Sequence, residues 1–411
     1  MLDTLALVKK TSFYQDVVLG FLLKMDKGTL YLTLQDGETL KIGNGGDITA
    51  NIVVNSDEFY KRCILFGDIG FGEAYVDGLW DTDNITNVIK WVLLNIENAP
   101  GLSGSKTKAM ALNLLKLFNR ITHFKRSNTV DGSRKNISEH YDLNNNFFAS
   151  FLDPTMTYSS AYFYKDGLSL EEAQFAKYER LCRQLCLKPT DHVLEIGSGW
   201  GGNAIYMAKH YGCKVTSLTI SEEQAKLARQ RVEAEGLTGR VEILLQDYRL
   251  MEGKFDKIVS IEMLEAVGAA FLDVYFRQVD NLLKKNGIIA IQVITCPDSR
   301  YDCLRKGVDW IQKHIFPGSL LPSVGAINNA INRTSDLTLV DLKDIGTDYA
   351  TTLKLWYDQF NANLSKARYL GFDDAFIRKW NYYLCYCEAA FAMRNINVMH
   401  LVYARPNNRE R

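Results

Sequence analysis

The chain has 411 residues, of which 47% are hydrophobic and 23% are charged. These proportions are typical of folded proteins and exclude a disordered chain. Lys and Arg together number 48, as do Asp and Glu, so the formal net charge is zero. Proteins that coat nucleic acid usually carry a basic excess, which argues against that class. At roughly 150 residues per domain, the length predicts two or three domains.

The eight cysteines include no CxxC pair, and their spacing is not that of a disulfide framework. We therefore expect free thiols in a reducing compartment. No uninterrupted apolar run reaches the roughly 18 residues of a membrane span. The first residues lack the ordered regions of a signal peptide. These features predict a cytoplasmic protein, and the six histidines show no metal-ligand spacing, so no metal is expected.

Residues 1–100 are predicted to form a small α+β domain. Alternating residues 28–35 (GTLYLTLQ) are followed by a turn signal at Asp36 and Gly37, which predicts a β-hairpin with residues 39–42. A further strand is predicted at residues 50–54. A helix is predicted over residues 85–96, with Asp83 or Asn84 as its cap. The apolar surfaces fit either a plain core or a site for an apolar ligand.

Residues 101–138 form a predicted connector that contains a helix over about residues 106–125. From residue 106 onward the connector carries eight basic residues and a single acidic one, Asp131. A basic amphipathic helix can lie on an anionic membrane. The same pattern fits a helix that docks on its own protein and leaves its basic face in water. Both interpretations stay open.

From about residue 139 the pattern changes to strands that alternate with helices. Strands are predicted at residues 192–196, 214–219, 241–245, 257–261 and 288–294, with two more at 338–342 and 398–404. Helices are predicted between them, for example at residues 222–235 and 270–283. This alternation predicts a parallel sheet with helices on both faces. A long aromatic insert at residues 296–335 follows the fifth strand, where a cover over the substrate belongs.

Residues 193–202 (VLEIGSGWGG) follow the first of these strands and open a helix. Without side chains, Gly197 and Gly199 let a ligand approach the backbone closely. Together with Gly202 they also match the spacing of a dinucleotide fold, but no acid stands at the end of the second strand. Glu195, inside the first strand, suits a cationic ligand such as S-adenosylmethionine. That cofactor is favoured, while a dinucleotide or purely structural glycines remain alternatives.

Longer motifs in the chain resemble the cyclopropane-fatty-acyl-phospholipid synthase family. They are HYDLNNNFF (140–148), DPTMTYSSAY (153–162), LEIGSGWGG (194–202), LTISEEQ (218–224), LQDYR (245–249), EMLEAVG (262–268), IFPG (315–318) and DYATTL (348–353). The motifs follow one another in order over about residues 140–405, and FGEAYVDGLW (71–80) looks like the family's N-terminal domain. The resemblance implies a class I methyltransferase domain at 139–411. Its expected architecture is a doubly wound, mostly parallel seven-stranded sheet, preceded by a smaller lipid-handling α+β domain.

The resemblance also implies which residues bind S-adenosylmethionine. Residues expected near the methionine part are Tyr158, Ser159, Gly197 and Gly199, those near the ribose are Thr219 and Gln224, and those near the adenine are Gln246, Asp247 and Tyr248. Several have structural alternatives. Thr219 and Gln224 could merely begin the following helix, Tyr158 could be a core aromatic, and Asp247 could be a helix cap.

In that family a methylene carbon is transferred from S-adenosylmethionine to a cis double bond in a phospholipid acyl chain, and a bound bicarbonate ion removes the proton. The resemblance places Glu265, Tyr349 and the backbone of Ile294 around bicarbonate. Ser160 stands where the family has a cysteine, and Gln292 where it has a histidine. A backbone N–H at Ser160 and the amide of Gln292 could still hold the anion. For Glu265, the alternative is a buried carboxylate that orients a loop.

A carbocation formed after methyl transfer needs a dry, aromatic pocket. Candidate aromatic residues are Trp310, Phe316, Tyr349, Trp356, Phe360, Tyr369, Trp380, Tyr382 and Phe391, of which only Tyr349 is predicted at the reaction centre. The resemblance further implies a homodimer that works peripherally on the inner face of the cytoplasmic membrane. The departures at Ser160 and Gln292 leave open a related lipid C-methyltransferase with a methyl-branched or methylene product. A non-catalytic lipid-transfer or membrane-adaptor protein is the alternative from another class.

Overall fold

The computed structural model describes residues 12–96 and 144–410. They fall into two compact units. The first unit comprises residues 12–96 with 374–382, and the second comprises 144–373 with 383–410. The predicted connector, residues 101–138, lies outside the described residues, so its helix stays a prediction.

The first unit is a small α+β unit, as expected. Its described helices and strands before residue 97 are α1 (Phe13–Leu22), β1 (Gly28–Thr33), β2 (Thr39–Gly45), β3 (Thr49–Val54), α2 (Glu58–Val76), β4 (Trp80–Asp81) and α3 (Ile85–Leu94). The sheet order is β2-β1-β3-β4. The predicted hairpin is confirmed, since Leu30 pairs with Ile42 across antiparallel β1 and β2. Asn84 caps α3 by accepting the N–H of Asn87.

The second unit contains a seven-stranded sheet. Its strands are β5 (His192–Ile196), β6 (Lys214–Thr219), β7 (Val241–Leu245), β8 (Phe255–Ile261), β9 (Leu283–Thr295), β10 (Thr338–Asp344) and β11 (Asn397–Ala404). The strand order is β10-β11-β9-β8-β5-β6-β7. The five strands from β9 to β7 are parallel, whereas β11 is antiparallel to both of its neighbours. The predicted mostly parallel seven-stranded sheet is therefore confirmed.

Helices cover both faces of this sheet. The described α-helices after residue 143 are α4 (Asn145–Phe148), α5 (Leu170–Gln184), α6 (Gly202–Tyr211), α7 (Glu222–Ala234), α8 (Leu272–Leu282), α9 (Asp298–Leu304), α10 (Trp310–His314), α11 (Val324–Thr334), α12 (Gly346–Ala362), α13 (Leu364–Tyr369) and α14 (Asp374–Ala392), whose residues 374–382 belong to the first unit. One core layer joins Phe276 and Val279 of α8 to Ile331 of α11. The other joins Leu181 of α5 to Ala204 of α6. The two apolar layers fix the sheet between them.

The long insert after β9 contains α9, α10 and α11. Two backbone hydrogen bonds tie its loops to the strand ends: Leu320 N–H donates to the carbonyl of Glu265, and Cys296 N–H donates to the carbonyl of Pro322. The insert therefore lies beside the loop that follows β8, at the carboxyl edge of the parallel strands. This is the edge where open α/β sheets bind ligands.

None of the helices in residues 12–96 and 144–410 combines the length and the apolar character needed to cross a bilayer. The same stretches hold no group of three or more His, Cys, Asp or Glu side chains placed to bind a metal ion.

Candidate active site

The glycine loop joins β5 to α6 and is pinned to the neighbouring strand. Gly197 and Ser198 both donate their backbone N–H groups to the carbonyl of Leu218 in β6. Gly197 and Gly199 have φ values of 97° and 48°, which favour glycine. A Cβ added to Gly199 would meet nothing within 4 Å. The loop therefore borders open space at Gly199, as a ligand cradle requires.

Glu195 lies beneath this loop, with its side chain almost fully buried. Its carboxylate accepts hydrogen bonds from Asn203 Nδ2 (2.8 Å) in α6 and from Ser217 Oγ (2.5 Å) in β6. Burial raises the pKa of Glu195 to about 7, and the two hydrogen bonds oppose that rise. The carboxylate thus joins three elements around the loop, and this role accounts for its position without direct ligand contact.

The residues predicted for the ribose and adenine lie at the ends of β6 and β7. Thr219 Oγ1 donates to Gln224 Oε1 (2.9 Å), and the N–H of Gln246 donates to the carbonyl of Thr219. These contacts bring Thr219, Gln224 and Gln246 together. The pair of Thr219 and Gln224 also stabilises the start of α7, so the structural interpretation of these two residues holds alongside a binding role.

Asp247 and Tyr248 follow β7, where adenine was expected. Asp247 forms an ion pair with Arg249 (2.6 Å) and accepts the backbone N–H of the same residue. Its carboxylate is therefore held by its own turn, as a cap would be. The ring of Tyr248 packs edge to face with that of Tyr275, with centroids 5.2 Å apart. This arrangement fixes the turn that follows β7.

Tyr158 and Ser159 belong to the loop that precedes α5. Ser159 Oγ accepts a hydrogen bond from the ammonium of Lys177 (2.7 Å), which is fully buried. Burial lowers the pKa of Lys177 to about 7, against the opposing charges of Glu262 and Asp153. The hydroxyl groups of Tyr158 and Tyr383 are 2.9 Å apart. The sequence interpretation gave neither Lys177 nor Tyr383 a role in the site; Tyr383 lies in a motif of the family resemblance (residues 382–391), but no function was assigned to it.

Glu262, directly after β8, is the centre of the site. Its Oε1 accepts hydrogen bonds from the backbone N–H of Ser160 (2.9 Å) and from Gln292 Nε2 (2.7 Å). Its Oε2 accepts one from the hydroxyl of Tyr349 (3.1 Å). Three of the five groups expected to hold bicarbonate therefore bind a carboxylate of the chain itself. Burial raises the pKa of Glu262, and the charge of Lys177 opposes that rise.

A buried histidine sets the orientation of Gln292. His400 Nε2 lies 2.8 Å from Gln292 Oε1, because His400 of β11 pairs with Gln292 of β9. Gln292 Nε2 donates to both the carbonyl of Ser160 and Glu262, so its Oε1 must face His400 as an acceptor. His400 therefore carries its proton on Nε2. Burial lowers its pKa well below the usual value and keeps the ring neutral.

Glu265 lies in the same loop, three residues further on, but has different partners. Its Oε1 accepts the backbone N–H of Ile294, whereas its buried Oε2 has no hydrogen-bond partner within the described residues. Burial raises the pKa of Glu265 to about 8, and the neighbouring charge of Glu262 adds to that rise. The five residues predicted to hold bicarbonate are thus brought together. Three of them donate to Glu262, and Ile294 donates to the fifth, Glu265.

Tyr349, which donates to Glu262, belongs to a group of packed aromatic rings. The ring of Tyr349 lies 4.6 Å from that of Phe391 and 5.9 Å from that of Trp356, and Tyr158 lies 5.2 Å from Trp356. Phe316 contacts the rings of both Tyr158 and Tyr383. We call Tyr158, Phe316, Tyr349, Trp356, Tyr383 and Phe391 the aromatic cluster. Of the other candidates, Tyr369 is 89% exposed, and Trp380 and Tyr382 belong to the first unit.

The fold and the glycine loop together define an S-adenosylmethionine-dependent methyltransferase. A solved coclaurine N-methyltransferase bound to SAH shares the fold at a TM-score of 0.60 and 18% identity, over 81% of this chain and 98% of that one. The model of the mycolic acid cyclopropane synthetase family matches residues 128–401, and the chain belongs to this family. This confirms the broader family and the methyltransferase class that the motifs indicated, whereas the phospholipid synthase as the particular member stays a prediction.

Individual relatives are named for different activities. The chain is 40% identical to the tuberculostearic acid methyltransferase UfaA1 of Mycobacterium tuberculosis, over 83% of this chain and 80% of that protein. It is 39% identical to the cyclopropane-fatty-acyl-phospholipid synthase of Escherichia coli K12, over 89% of this chain and 90% of that protein. The solved mycolic acid cyclopropane synthase CmaA1, in complex with SAH and CTAB, gives a TM-score of 0.61 at 30% identity, over 66% of this chain and 98% of that one.

Proposed function

We propose that the protein transfers one carbon from S-adenosylmethionine to the cis double bond of a phospholipid acyl chain and closes a cyclopropane ring. The observation that carries the proposal is a buried carboxylate, Glu262, that accepts hydrogen bonds from the backbone of Ser160 and from Tyr349, a member of the aromatic cluster. This combination suits a carbocation that must be kept from water and then lose a proton. The similarity to the phospholipid synthase of E. coli supports this substrate.

The residues around the glycine loop fit S-adenosylmethionine, since the space beside Gly199 is open. The residues proposed to hold it are Tyr158, Ser159, Gly197, Gly199, Thr219, Gln224, Gln246, Asp247 and Tyr248, with Glu195 supporting the loop from beneath. When bound, S-adenosylmethionine supplies an electrophilic methyl group on a sulfonium. The SAH complex of CmaA1 supports this assignment, because SAH is what remains after that methyl group has left.

The chain's own residues perform the remaining tasks. The aromatic cluster excludes water from the reacting carbons, and the faces of its rings stabilise positive charge on the acyl chain. The aromatic side chains also confine the alkene so that its double bond stays in line with the methyl group, which supplies much of the rate. The proton is removed at the pair of carboxylates.

Bicarbonate, which the family resemblance implied as the base, does not fit these residues. Ser160, Gln292 and Tyr349 already donate to Glu262. A second anion on the same donors would lie against that carboxylate, and like charges at such a distance disfavour each other. The proposed function therefore contains no step through bicarbonate.

A related lipid C-methyltransferase, with a methyl-branched or methylene product, is the second candidate. The 40% identity to the tuberculostearic acid methyltransferase UfaA1 favours it. Both candidates share the attack of an alkene on the methyl group and differ in how the resulting cation is resolved. Loss of a proton from the new methyl group with ring closure gives the cyclopropane. In the alternative, a hydride shifts along the chain and the cation then loses a proton to give the methylene product, which becomes a saturated methyl branch only after a separate reduction by a hydride donor.

Incubation of the purified protein with labelled S-adenosylmethionine and cis-unsaturated phospholipid vesicles tests the proposed function. We expect a labelled fatty acid that has gained one CH₂ and lost its double bond. A labelled chain that keeps a double bond favours the second candidate. The same incubation is repeated with free fatty acid and with an acyl thioester in place of vesicles. If none of the three substrates becomes labelled, both candidates are contradicted.

We further propose that the protein binds the inner face of the cytoplasmic membrane through the basic residues of segment 101–138. Anionic lipid attracts such segments by about 1 kcal/mol per basic residue. A homodimer, as the resemblance implies, would present two such segments and raise the avidity. Sedimentation with vesicles tests the first statement, and analytical ultracentrifugation tests the second.

A further inference from the structure

Glu262 combines features that a purely structural residue does not need. It adopts a positive φ of 47°, a backbone conformation that non-glycine residues rarely occupy. Its N–H donates to the carbonyl of Gln292 (2.8 Å), which fixes this conformation at the end of β8. Backbone strain of this kind persists where the surrounding structure holds it, and it clusters at functional sites.

The hydrogen bonds of Glu262 favour its ionised form. Both oxygens accept from neutral donors that stay protonated: a backbone N–H, a side-chain amide, and the hydroxyl of Tyr349, whose pKa is raised by burial. The ammonium of Lys177 adds a nearby positive charge. Glu265, by contrast, has a single donor and a bare oxygen. When two neighbouring carboxyl groups share one proton, it therefore resides on Glu265.

From this geometry we propose that the carboxylate of Glu262 is the built-in base of the reaction and takes the place of a bound bicarbonate ion. The inference rests on the proposed function. Oε2 accepts only the hydroxyl of Tyr349 within the described residues, so it keeps a lone pair that can receive a proton. Oε1, with two donors, anchors the group.

The step balances in atoms and charge. Oε2 of Glu262 takes a proton from the newly attached methyl carbon of the acyl cation. The two electrons of that C–H bond form the bond that closes the three-membered ring. The cation becomes a neutral cyclopropane, and the carboxylate becomes a neutral acid. The proton passes to water before the next turnover.

Two variants test this assignment. Glu262→Gln keeps the shape of the side chain but cannot take the proton, so turnover should fall by about 100-fold or more. Glu262→Gly accommodates the positive φ and leaves a space lined by the donors of Ser160, Gln292 and Tyr349. In buffer freed of carbon dioxide it should be inactive, and bicarbonate or formate should restore its activity at least about tenfold. The wild-type rate should not respond to bicarbonate.

A binding measurement without substrate separates this inference from the proposed function. Bicarbonate should raise the melting temperature of Glu262→Gly and leave that of the wild type unchanged, since only the variant offers it a site. Asn407→Gly is the matched control, because exposed Asn407 also has a positive φ (63°) but no carboxylate. Its melting temperature should not respond to bicarbonate.

Several results would overturn the assignment. A wild-type protein that requires bicarbonate for turnover, or that bicarbonate stabilises, has a separate anion site. A Glu262→Gln variant with a near-normal rate shows that the base lies elsewhere. If the wild type modifies no lipid, the proposed function fails, and the melting measurement still decides whether Glu262 fills the anion site.

Discussion

Replacing Glu265 by Gln should change how stability depends on pH. The usual pKa of a glutamate is 4.5, and in the folded protein that of Glu265 is about 8, mainly because the group is buried. Between these values the folded state keeps a proton that the unfolded chain has released. Stability should therefore fall as the pH rises from about 4.5 to about 8. This difference in pKa between the unfolded and the folded state corresponds to a loss on the order of 5 kcal/mol in the free energy of unfolding across that pH range.

The amide that Glu265→Gln introduces would copy the neutral acid, because its oxygen can accept the N–H of Ile294 as Oε1 does now. Urea unfolding at several values from about pH 5 to about pH 8 measures the effect. Across this range the free energy of unfolding of the variant should fall by several kcal/mol less than that of the wild type. Other buried groups, such as Glu195 and Lys177, are present in both proteins, so only the difference between the two curves is interpreted.

Glu252→Gln is the control, because Glu252 is an exposed carboxylate outside the site. Its curve should run parallel to that of the wild type. If the Glu265→Gln curve also ran parallel, Glu265 would be ionised in the folded protein at neutral pH. The assignment of the shared proton to Glu265 would then be refuted.

Three further predictions concern a hydrogen-bond donor to Glu262, the glycine loop and the membrane contact. Tyr349→Phe removes a donor to Glu262 and should lower kcat about 10- to 100-fold with the KM for S-adenosylmethionine nearly unchanged; a changed KM alone would contradict this. Gly199→Ala should weaken binding of S-adenosylmethionine in calorimetry, whereas Gly37→Ala, which also has a positive φ (88°, against 48° at Gly199) and open space, should not. Neutralising Lys106, Lys116, Arg120 and Lys125 should weaken sedimentation with anionic vesicles, most at low salt, and unchanged sedimentation would contradict the membrane contact.

Apolar periodicity was enough to predict the sheet. The predicted bounds of β5, β6 and β7 match the structure. β5 (HVLEI) and β7 (VEILL) are mostly apolar, and β6 (KVTSLT) contains three β-branched residues, which favour strands. The predictions for β8 and β9 began too late. β8 begins at Phe255 rather than residue 257, and β9 at Leu283 rather than residue 288. The polar residues near these starts hide the strands, and the register shifts between Phe255 and Lys257.

The sequence predicted most residues of the candidate site but not the hydrogen bonds that join them. The motif at residues 262–268 offers two carboxylates after a strand, and the family resemblance drew attention to Glu265 alone. The role of Glu262 depends on a positive φ and on donors from three distant segments, which no local pattern records. Likewise, His400 reaches Gln292 through the register of two antiparallel strands 108 residues apart. Paired carboxylates at the carboxyl end of β8 were the one sequence signal that could have identified Glu262.

The most direct measurement uses S-adenosylmethionine with a fully deuterated methyl group, cis-unsaturated phospholipid vesicles and buffer freed of carbon dioxide. We predict a cyclopropane that retains two of the three deuterons, formed at the same rate when bicarbonate is added. A product that retains all three deuterons would show that the new methyl group never gave up a proton. Ring formation only after bicarbonate is restored would show that Glu262 does not act as the base.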